Sequence, residues 1–374
     1  MRRILPGLLG AMLLLGPRTS GAEVLIGIAT PLTGHYAWSG EQTRAGAEMA
    51  VQALNERGGV LGQSVATVLA DDFCDPEQAV AAANKMLAEG VSFVVGHQCS
   101  GAAIPASLVY EEAGIVLISP AATNPRLTDR GLRRTFRTCG RDDLQGSMVG
   151  DRIANEWPDA AVAIVHDGQA YGQGVAEEAR RRLDDLGVKT VLFEQVEPGQ
   201  TVFADLIGRF EANGIEVIFY GGYQAEAGLL VRQTKERLPE AAFVLPDGVA
   251  SEDFWLIAGP AAQGIPMTFY MDPTGQPAAT EVVAALKAAG IDPIGAALYA
   301  YAAVEAWAQA VEAAGGLDAD AVAEALRSGS FDTVLGEIGF DAKGDVTGFD
   351  PFAWSVWNDG KYAPEDRAQG IGQD

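Results

Sequence analysis

The stretch VVGHQCSGAAIPASLVYEEAGIVLISPAATNP, residues 94 to 125, contains two short apolar runs that each end in small polar residues. Val91 to Gly96 and Ile115 to Ser119 have the length and composition of buried strands. The segment between them has a helical pattern and is closed by Gly114. A strand, a helix and a second strand in this order predict a parallel βαβ unit, whose sheet is covered by helices on both faces. The fold class indicated by this stretch is therefore α/β.

The same alternation continues along the chain in two blocks, which meet near Arg141. Capped helices separate the apolar runs in both blocks, so we predict two successive doubly wound parallel sheets as an approximate internal repeat. The predicted strands are 24–29, 64–71, 91–96 and 115–119 in the first block, and 161–166, 189–195, 217–220 and 242–245 in the second. Later helices at 297–314 and 318–328 and a strand at 352–357 are also predicted, and the sequence leaves open which block they join.

The N-terminus has the pattern of an export signal. A basic start, an apolar run from Ile4 to Gly16 and a small-residue site ending at Ala22 predict a signal peptide over residues 1–22. The run is too short and too interrupted for a membrane anchor, which needs about 20 apolar residues. We therefore expect an exported, soluble chain that begins near Glu23.

The chain is strongly acidic. Its 374 residues carry a formal net charge of -24 at pH 7, and loss of the three arginines in residues 1–22 makes it -27. Such a surface repels phosphate backbones, so nucleic acid is not expected as a partner. In an oxidising compartment two of the three cysteines, Cys74, Cys99 and Cys139, can pair, and their spacing fits neither a redox CxxC motif nor a zinc site.

Catalytic and metal motifs are weak in this sequence. Ser100 and His97 suggest a nucleophile and a base, but three residues apart at a strand end their side chains point to opposite faces, and no G-x-S-x-G elbow is present. The three histidines, His35, His97 and His166, lie in separate elements without the spacing of a metal site. Gly172-Gln173-Gly174 begins like a dinucleotide fingerprint, yet Glu177 replaces its third glycine.

The strand ends instead offer groups that hold charges. Ser100 and Thr123 lie where helices that follow parallel strands present free backbone N–H groups to an anion. For either residue taken alone, ordinary helix capping is the favoured explanation. Asp247 follows a strand of the second block and suits an ammonium, although a turn before Gly248 also explains it. Tyr171 and Tyr223 follow strands of the same block. Together these residues predict a cleft for an α-amino acid.

Several motifs then resemble one family, the periplasmic leucine/isoleucine/valine-binding proteins of branched-chain amino-acid ABC transporters. The similarity covers nearly the whole chain after residue 22. The motifs that carry it are Asp71-Asp72-Phe73-Cys74-Asp75-Pro76, Gly96-His97-Gln98-Cys99-Ser100, Pro120-Ala121-Ala122-Thr123, Ile164-Val165-His166-Asp167 with Tyr171-Gly172, and Tyr220-Gly221-Gly222-Tyr223.

The resemblance implies a type I periplasmic binding protein, with two doubly wound lobes joined by three hinge crossovers. Lobe 1 would comprise residues 23–141 plus 270–349, and lobe 2 residues 142–269 plus 350–374. It also implies a monomeric periplasmic receptor without catalytic activity, cofactor or metal. Such a receptor closes on a hydrophobic L-amino acid such as leucine, isoleucine or valine and delivers it to the permease subunits of an ABC transporter.

The resemblance also assigns site residues and a disulfide. Ser100, Ala121 and Thr123 would hold the ligand's α-carboxylate and ammonium from lobe 1. Tyr171 and Tyr223 would clamp the ligand from lobe 2, with Asp247 facing the ammonium. The disulfide of the family corresponds to Cys74 with Cys99, which leaves Cys139 as a buried thiol. The further ligand-facing positions are Trp38, Ser39, Gln98 and Cys99.

Three departures from the family pattern affect specificity. Asp247 stands where the best-known members have glutamate, and Ser39 where a tyrosine is expected. Ala296 and Ala297 replace an aromatic wall residue. A roomier pocket follows, so phenylalanine, other neutral amino acids or amides are alternative ligands. An exported serine hydrolase that uses Ser100 on amino-acid derivatives is the alternative from another functional class.

Overall fold

The computed structural model describes residues 23–365. The first sheet is parallel, with strand order β2-β1-β3-β4-β5, and the helices between its strands cover its faces. Its elements are β1 Val24–Thr30, α1 Ala37–Glu56, β2 Val65–Asp71, α2 Pro76–Glu89, β3 Phe93–Gly96, α3 Ser100–Ala113, β4 Val116–Ser119 and β5 Thr135–Arg137.

The second sheet repeats this topology. Its parallel strands have the order β7-β6-β8-β9, in which the first two strands are exchanged as in the first sheet. The predicted pair of wound parallel sheets and the internal repeat are therefore confirmed. The elements are α4 Asp142–Glu156, β6 Val162–His166, α5 Ala170–Asp185, β7 Thr190–Gln195, α6 Ala204–Ala212, β8 Val217–Gly221, α7 Gln224–Arg237, β9 Ala242–Val244 and α8 Glu252–Ala258.

The elements that follow α8 in the chain include two small antiparallel sheets. Strands β10, β14 and β15 form one antiparallel sheet, and β11, β12 and β13 form another. A parallel bridge between Leu245 and Met267 connects β10 to the end of β9. The bounds are β10 Pro266–Tyr270, α9 Thr280–Ala288, α10 Ala296–Ala314, α11 Ala319–Ser328, β11 Ser330–Thr333, β12 Gly336–Phe340, β13 Val346–Thr347, β14 Phe352–Asn358 and β15 Lys361–Pro364.

Helix α10 joins the first sheet, which answers the question that the sequence left open for it. Trp307 of α10 stacks on Phe93 of β3 with ring centroids 4.8 Å apart, and both side chains are buried. Helices α1 and α10 approach so closely that a side chain at Gly46 would overlap the carbonyl oxygen of Ala297. A glycine at this point of α1 therefore permits the two helices to cover the sheet together.

The sequence prediction missed several elements. Helix α4 escaped it because Gly146 and Gly150 lower helix propensity. Both glycines are needed for packing, since a Cβ at either position would overlap Glu178 or Arg182 of α5. The sequence pattern predicts the first helix from Gln42 to Arg57, whereas α1 begins at Ala37, five residues earlier. Strands β10 to β13 and helices α8 and α9 also lie in segments left unassigned.

The predicted signal peptide, residues 1–22, lies outside the described residues. Within residues 23–365 no helix combines the length and the apolar character needed to cross a membrane. The lobe boundaries and the three crossovers stay predictions.

Candidate functional site

The topology of the two sheets defines where a ligand site is expected. In each sheet the strand order reverses beside its first strand, and doubly wound folds bind ligands beyond the carboxyl ends of the strands at such a point. A cavity lies there, between loops that follow strands of both sheets. It is lined by His35, Tyr36, Trp38, Ser39, Gln42, Gln98, Cys99, Ser100, Ala121, Tyr171, Tyr223, Gln224, Asp247, Gly248, Ala250, Ser251, Asp253, Phe269, Tyr270, Gly295 and Ala296.

The wall on the side of the first sheet is held by hydroxyl groups. Ser100 is the first residue of α3, and its Oγ accepts a hydrogen bond of 3.2 Å from Asn124 N. Ser119 Oγ donates to His97 O over 2.8 Å and accepts from Ala122 N over 2.9 Å. These bonds join the loops that follow β3 and β4. They therefore fix the N-terminus of α3 relative to the turn after β4.

The disulfide ties a third loop to the same wall. Cys74, in the loop after β2, is bonded to Cys99, which precedes α3. This pairing confirms the prediction from the family resemblance. Cys139 is a free, fully buried thiol, and burial raises its pKa above the ordinary value. The predicted burial of Cys139 is also confirmed.

Aromatic rings form the wall on the side of the second sheet. The Tyr171 hydroxyl donates to Asp247 Oδ1 over 2.5 Å and accepts from Gly248 N over 2.9 Å. The Tyr223 ring lies 5.1 Å from the Tyr171 ring and 4.8 Å from the Tyr36 ring, measured between centroids. Tyr36 belongs to the loop after β1, so this aromatic cluster spans the cleft.

Asp247 is the buried acid of the cavity. It begins a short 3₁₀ helix just after β9, and only 9% of its surface is exposed. Gln145 Nε2 donates to its Oδ1 over 2.8 Å, in addition to the bond from Tyr171. Burial raises the pKa of Asp247, and these hydrogen bonds oppose the rise. The described residues that line the cavity include a second acid, Asp253, but no lysine or arginine. Its electrostatics thus favour a cation near Asp247.

The opposite wall offers donors to an anion. Ser100 lies at the N-terminus of a 14-residue helix, where unpaired N–H groups and the helix dipole favour negative charge. The N–H of Ala121 has one partner, Ser119 Oγ, over a long 3.4 Å. The cavity can therefore receive an anionic group near Ser100 and Ala121 and a cationic group near Asp247. It can hold a zwitterion without a covalent step.

The structure brings most of the predicted site residues together. Nine of the ten line this one cavity: Trp38, Ser39, Gln98, Cys99, Ser100, Ala121, Tyr171, Tyr223 and Asp247.

Thr123 is the predicted site residue that does not line the cavity. It is 1% exposed and lies behind the wall, beside Asp142. Its hydroxyl favours the charged form of that carboxylate, although neither Thr123 Oγ1 nor Asp142 Oδ2 has a well-formed hydrogen bond among residues 23–365. The ligand-binding roles of all ten residues stay predictions.

Three polar residues around Asp247 were missed from the sequence. Asp142 and Gln145 lie in the first turn of α4, and Gln145 bonds both to Asp142 and to Asp247. Tyr270 ends β10, and its hydroxyl donates to Ala121 O over 3.3 Å. Neither β10 nor α4 was predicted from the sequence, so no local pattern pointed to Tyr270, Asp142 or Gln145.

The catalytic alternative finds no support in the position of His97. Its Nδ1 lies 2.6 Å from Asp72 Oδ2 and its Nε2 lies 3.1 Å from the Tyr110 hydroxyl. The ring is fully buried, and both nitrogens point to partners other than Ser100. Among the described residues no group of three or more histidine, cysteine or acidic side chains is placed to hold a metal ion.

Comparisons with known proteins show what the chain is similar to. The sequence model of a family described as "Periplasmic binding protein" matches residues 23–361. The Leu/Ile/Val-binding protein homolog 1 of Brucella melitensis is 45% identical over 344 residues, which cover 91% of this chain and 93% of that protein. The leucine-, isoleucine-, valine-, threonine- and alanine-binding protein of Pseudomonas aeruginosa is 42% identical, with 87% and 88% covered.

A solved structure shows the same fold. The branched-chain amino acid transporter substrate-binding protein LivJ of Streptococcus pneumoniae, crystallised in complex with isoleucine, superposes with a TM-score of 0.82. The two sequences are 26% identical, and the superposition covers 91% of this chain and 98% of LivJ.

Proposed function

The chain belongs to the periplasmic binding protein family, and from that premise we propose that it is a receptor that captures a hydrophobic L-amino acid, such as leucine, isoleucine or valine, between its two lobes. The observation that carries this proposal is the shared cavity. It is lined both by Ser100, at a helix N-terminus beside the first sheet, and by the buried carboxylate of Asp247, beside the second. The two charged ends of an amino acid match these two walls.

The receptor acts by binding alone. A ligand held from both sides binds the closed arrangement, in which the two walls meet, more tightly than an open one. The difference between these two binding free energies is the amount by which the ligand stabilises the closed arrangement. Among residues 23–365 the Ser100 hydroxyl accepts from Asn124 N and has no basic side chain as a partner, so Ser100 is unsuited to a nucleophilic role. We therefore propose that no bond of the ligand is broken.

Location and partners follow from the same proposal. A periplasmic site agrees with the family, and it requires export by the predicted signal peptide at residues 1–22. The relatives include LivJ, described as part of a branched-chain amino acid transporter. By analogy this chain, as a monomer, would deliver its ligand to permease subunits of an ABC transporter.

A second, broader ligand range is favoured by the wall at the side-chain end. Ser39 and Ala296 line the cavity with small side chains, next to the larger Trp38 and Phe269. The Pseudomonas aeruginosa relative is named for binding threonine and alanine as well as the branched-chain residues. Phenylalanine and smaller neutral amino acids are therefore the second candidate class.

A thermal-shift screen of the twenty L-amino acids, followed by calorimetry, tests the proposal. A ligand at about 100 times its Kd stabilises the native state by about 2.7 kcal/mol. We expect upward shifts with leucine, isoleucine and valine, and shifts with alanine, threonine or phenylalanine for the broader class. No shift with any amino acid would overturn the receptor proposal. Hydrolysis of leucine esters that is lost in Ser100→Ala would support the hydrolase instead.

A further inference from the structure

A second carboxylate lies directly behind Asp247. The side-chain nitrogen of Gln145 donates to both acids, over 3.0 Å to Asp142 Oδ1 and over 2.8 Å to Asp247 Oδ1. The orientation of this amide is fixed from its other end, because Gln145 Oε1 accepts a hydrogen bond of 2.6 Å from Thr268 Oγ1. A single amide therefore bridges the two carboxylates, with one N–H for each.

Neither carboxylate has a cationic partner of its own. Within residues 23–365, no lysine, arginine or histidine forms an ion pair with Asp142 or Asp247. The charge of Arg137 acts on Asp142, but Arg137 Nε lies 2.7 Å from Asp345 Oδ1, so this cation is already paired. The other titratable or charged groups that face the two acids are Cys139, Asp143, Tyr171, Tyr223 and Tyr270.

Burial makes this arrangement unfavourable when both acids are ionised. Asp142 is fully buried and Asp247 nearly so, and two negative charges that share a low-dielectric site cannot both ionise easily. Burial first, and then the charge of Asp247, raise the pKa of Asp142 well above its ordinary value. The pair therefore favours a state that keeps one proton.

The hydrogen bonds indicate where that proton resides. Asp142 Oδ2 and Thr123 Oγ1 are both buried without a well-formed hydrogen bond among residues 23–365. The Thr123 hydroxyl can donate to an ionised Asp142 or accept from a protonated one, so it satisfies both atoms in either state, whereas Asp247 receives two hydrogen bonds, from Tyr171 and Gln145, that favour its charged form. Asp247 would then carry the negative charge that faces the cavity, stabilised by Tyr171 and Gln145.

We propose that Asp142 is a positioning residue of the ammonium site, which shares one proton with Asp247, and that the ammonium of a bound amino acid displaces this proton into the solvent. The inference rests on the proposed receptor function and adds to it a coupling between amino-acid binding and pH. The ligand's positive charge compensates one carboxylate, so the second can ionise. The proton passes to the buffer, and no covalent bond of the ligand changes.

Release of a proton on binding fixes the direction in which the affinity for the ligand changes with pH. When binding releases protons, affinity rises with pH, by at most about tenfold per pH unit for one proton. Because burial raises the pKa of both acids, the rise is expected above the ordinary carboxyl range of about pH 4. Titrations from about pH 5 to about pH 8 cover this range and avoid acid unfolding.

Isothermal titration of the purified protein with L-leucine tests the inference. At each pH, two buffers of different ionisation enthalpy give the number of protons released. We expect release of a large fraction of one proton by the wild type and a Kd that falls about three- to tenfold per pH unit at its steepest. Asp142→Asn keeps an acceptor for Gln145 but cannot ionise, so its Kd should change with pH by less than half of that slope.

Asp143→Asn is the matched control. Asp143 is the next residue of α4, is partly exposed and is already paired with Arg141 at 3.0 Å. This variant should keep the proton release of the wild type. If Asp142→Asn weakens leucine binding equally at every pH and keeps the slope, its role is structural and the inference is wrong.

If Asp142→Asn does not fold, titration of the wild type with leucine still tests the inference. Leucine binding without any proton exchange between about pH 5 and about pH 8 would overturn the inference and leave the receptor function intact. Absence of binding by all twenty amino acids would overturn the receptor function, and the inference with it.

Discussion

Replacement of Asp247 by asparagine removes the negative charge of the cavity with little change in shape. Asparagine retains an oxygen that can accept from Tyr171 and Gln145, whose bonds to Asp247 are 2.5 Å and 2.8 Å long. The walls of the cavity should therefore stay in place. In the proposed binding mode, what the variant loses is the attraction between a buried carboxylate and the ammonium of the ligand.

The burial of Asp247 sets the magnitude of that loss. Only 9% of its surface is exposed, so solvent screens its charge weakly. Removing one partner of a buried, hydrogen-bonded charge pair costs about 2 to 5 kcal/mol of binding free energy. The Kd of Asp247→Asn for leucine should thus rise by about 30-fold to several thousandfold.

Calorimetry with leucine measures this change, and Asp253→Asn serves as the comparison. Asp253 lines the same cavity but is exposed, so its charge is worth less than about 1 kcal/mol, or about fivefold in Kd. The reasoning is wrong if Asp247→Asn binds leucine as tightly as the wild type. It is equally wrong if the two variants lose the same affinity.

Three further predictions concern stability. Replacing Cys74 and Cys99 by serine removes the disulfide between residues 25 apart in sequence. The free energy of unfolding in urea should fall by about 3 kcal/mol, and an unchanged value would contradict this prediction. Gly46→Ala should destabilise the fold because its Cβ would overlap the backbone of α10. Gly101→Ala, on α3 with free space around it, should be neutral or stabilising by up to about 1 kcal/mol. Equal melting temperatures of the two variants would refute the packing argument. Burial raises the pKa of Glu305 to about 7, above its unfolded value, so its burial costs stability increasingly as pH rises from about 4.5 to about 7. Over that pH interval the free energy of unfolding of Glu305→Gln should rise by up to about 3 kcal/mol relative to that of the wild type. A difference between the two proteins that does not change with pH would show that Glu305 does not titrate there.

The fold was predictable where local pattern and tertiary environment agree. The strands of both wound sheets are short apolar runs, because parallel strands are buried on both faces. Helix α2 shows its ends plainly, with the Asp75 side chain accepting from Glu77 N and Gln78 N and with Gly90 closing it. Helix α4 is different, because its glycines serve contact with a helix that follows later in the chain. Its local pattern therefore gave no helix.

The site was predictable as a set of strand ends but not as a network. Ser100, Tyr171 and Asp247 each follow a strand, and that position alone brought them to one cavity. The bond from Gln145 to Asp247 joins residues 102 apart in sequence, and no local pattern reports it. Thr123 follows a strand as well, yet its side chain is turned behind the wall toward Asp142.

If the protein is the receptor that we propose, the distribution of charge over the two walls couples closure to recognition of the ligand. Contacts of the protein itself across the cleft include the bond of 2.6 Å from Asn124 Nδ2 to Ala170 O and the edge-to-face packing of Tyr36 on Tyr223. These are contacts between neutral groups, so neither wall supplies the counter-charge that the other needs. In the proposed binding mode a zwitterion supplies both, with its carboxylate at the helix N-terminus of Ser100 and its ammonium at Asp247. An amino-acid amide or an amine without a carboxylate binds one wall only, and such ligands therefore should not stabilise the closed arrangement as leucine does.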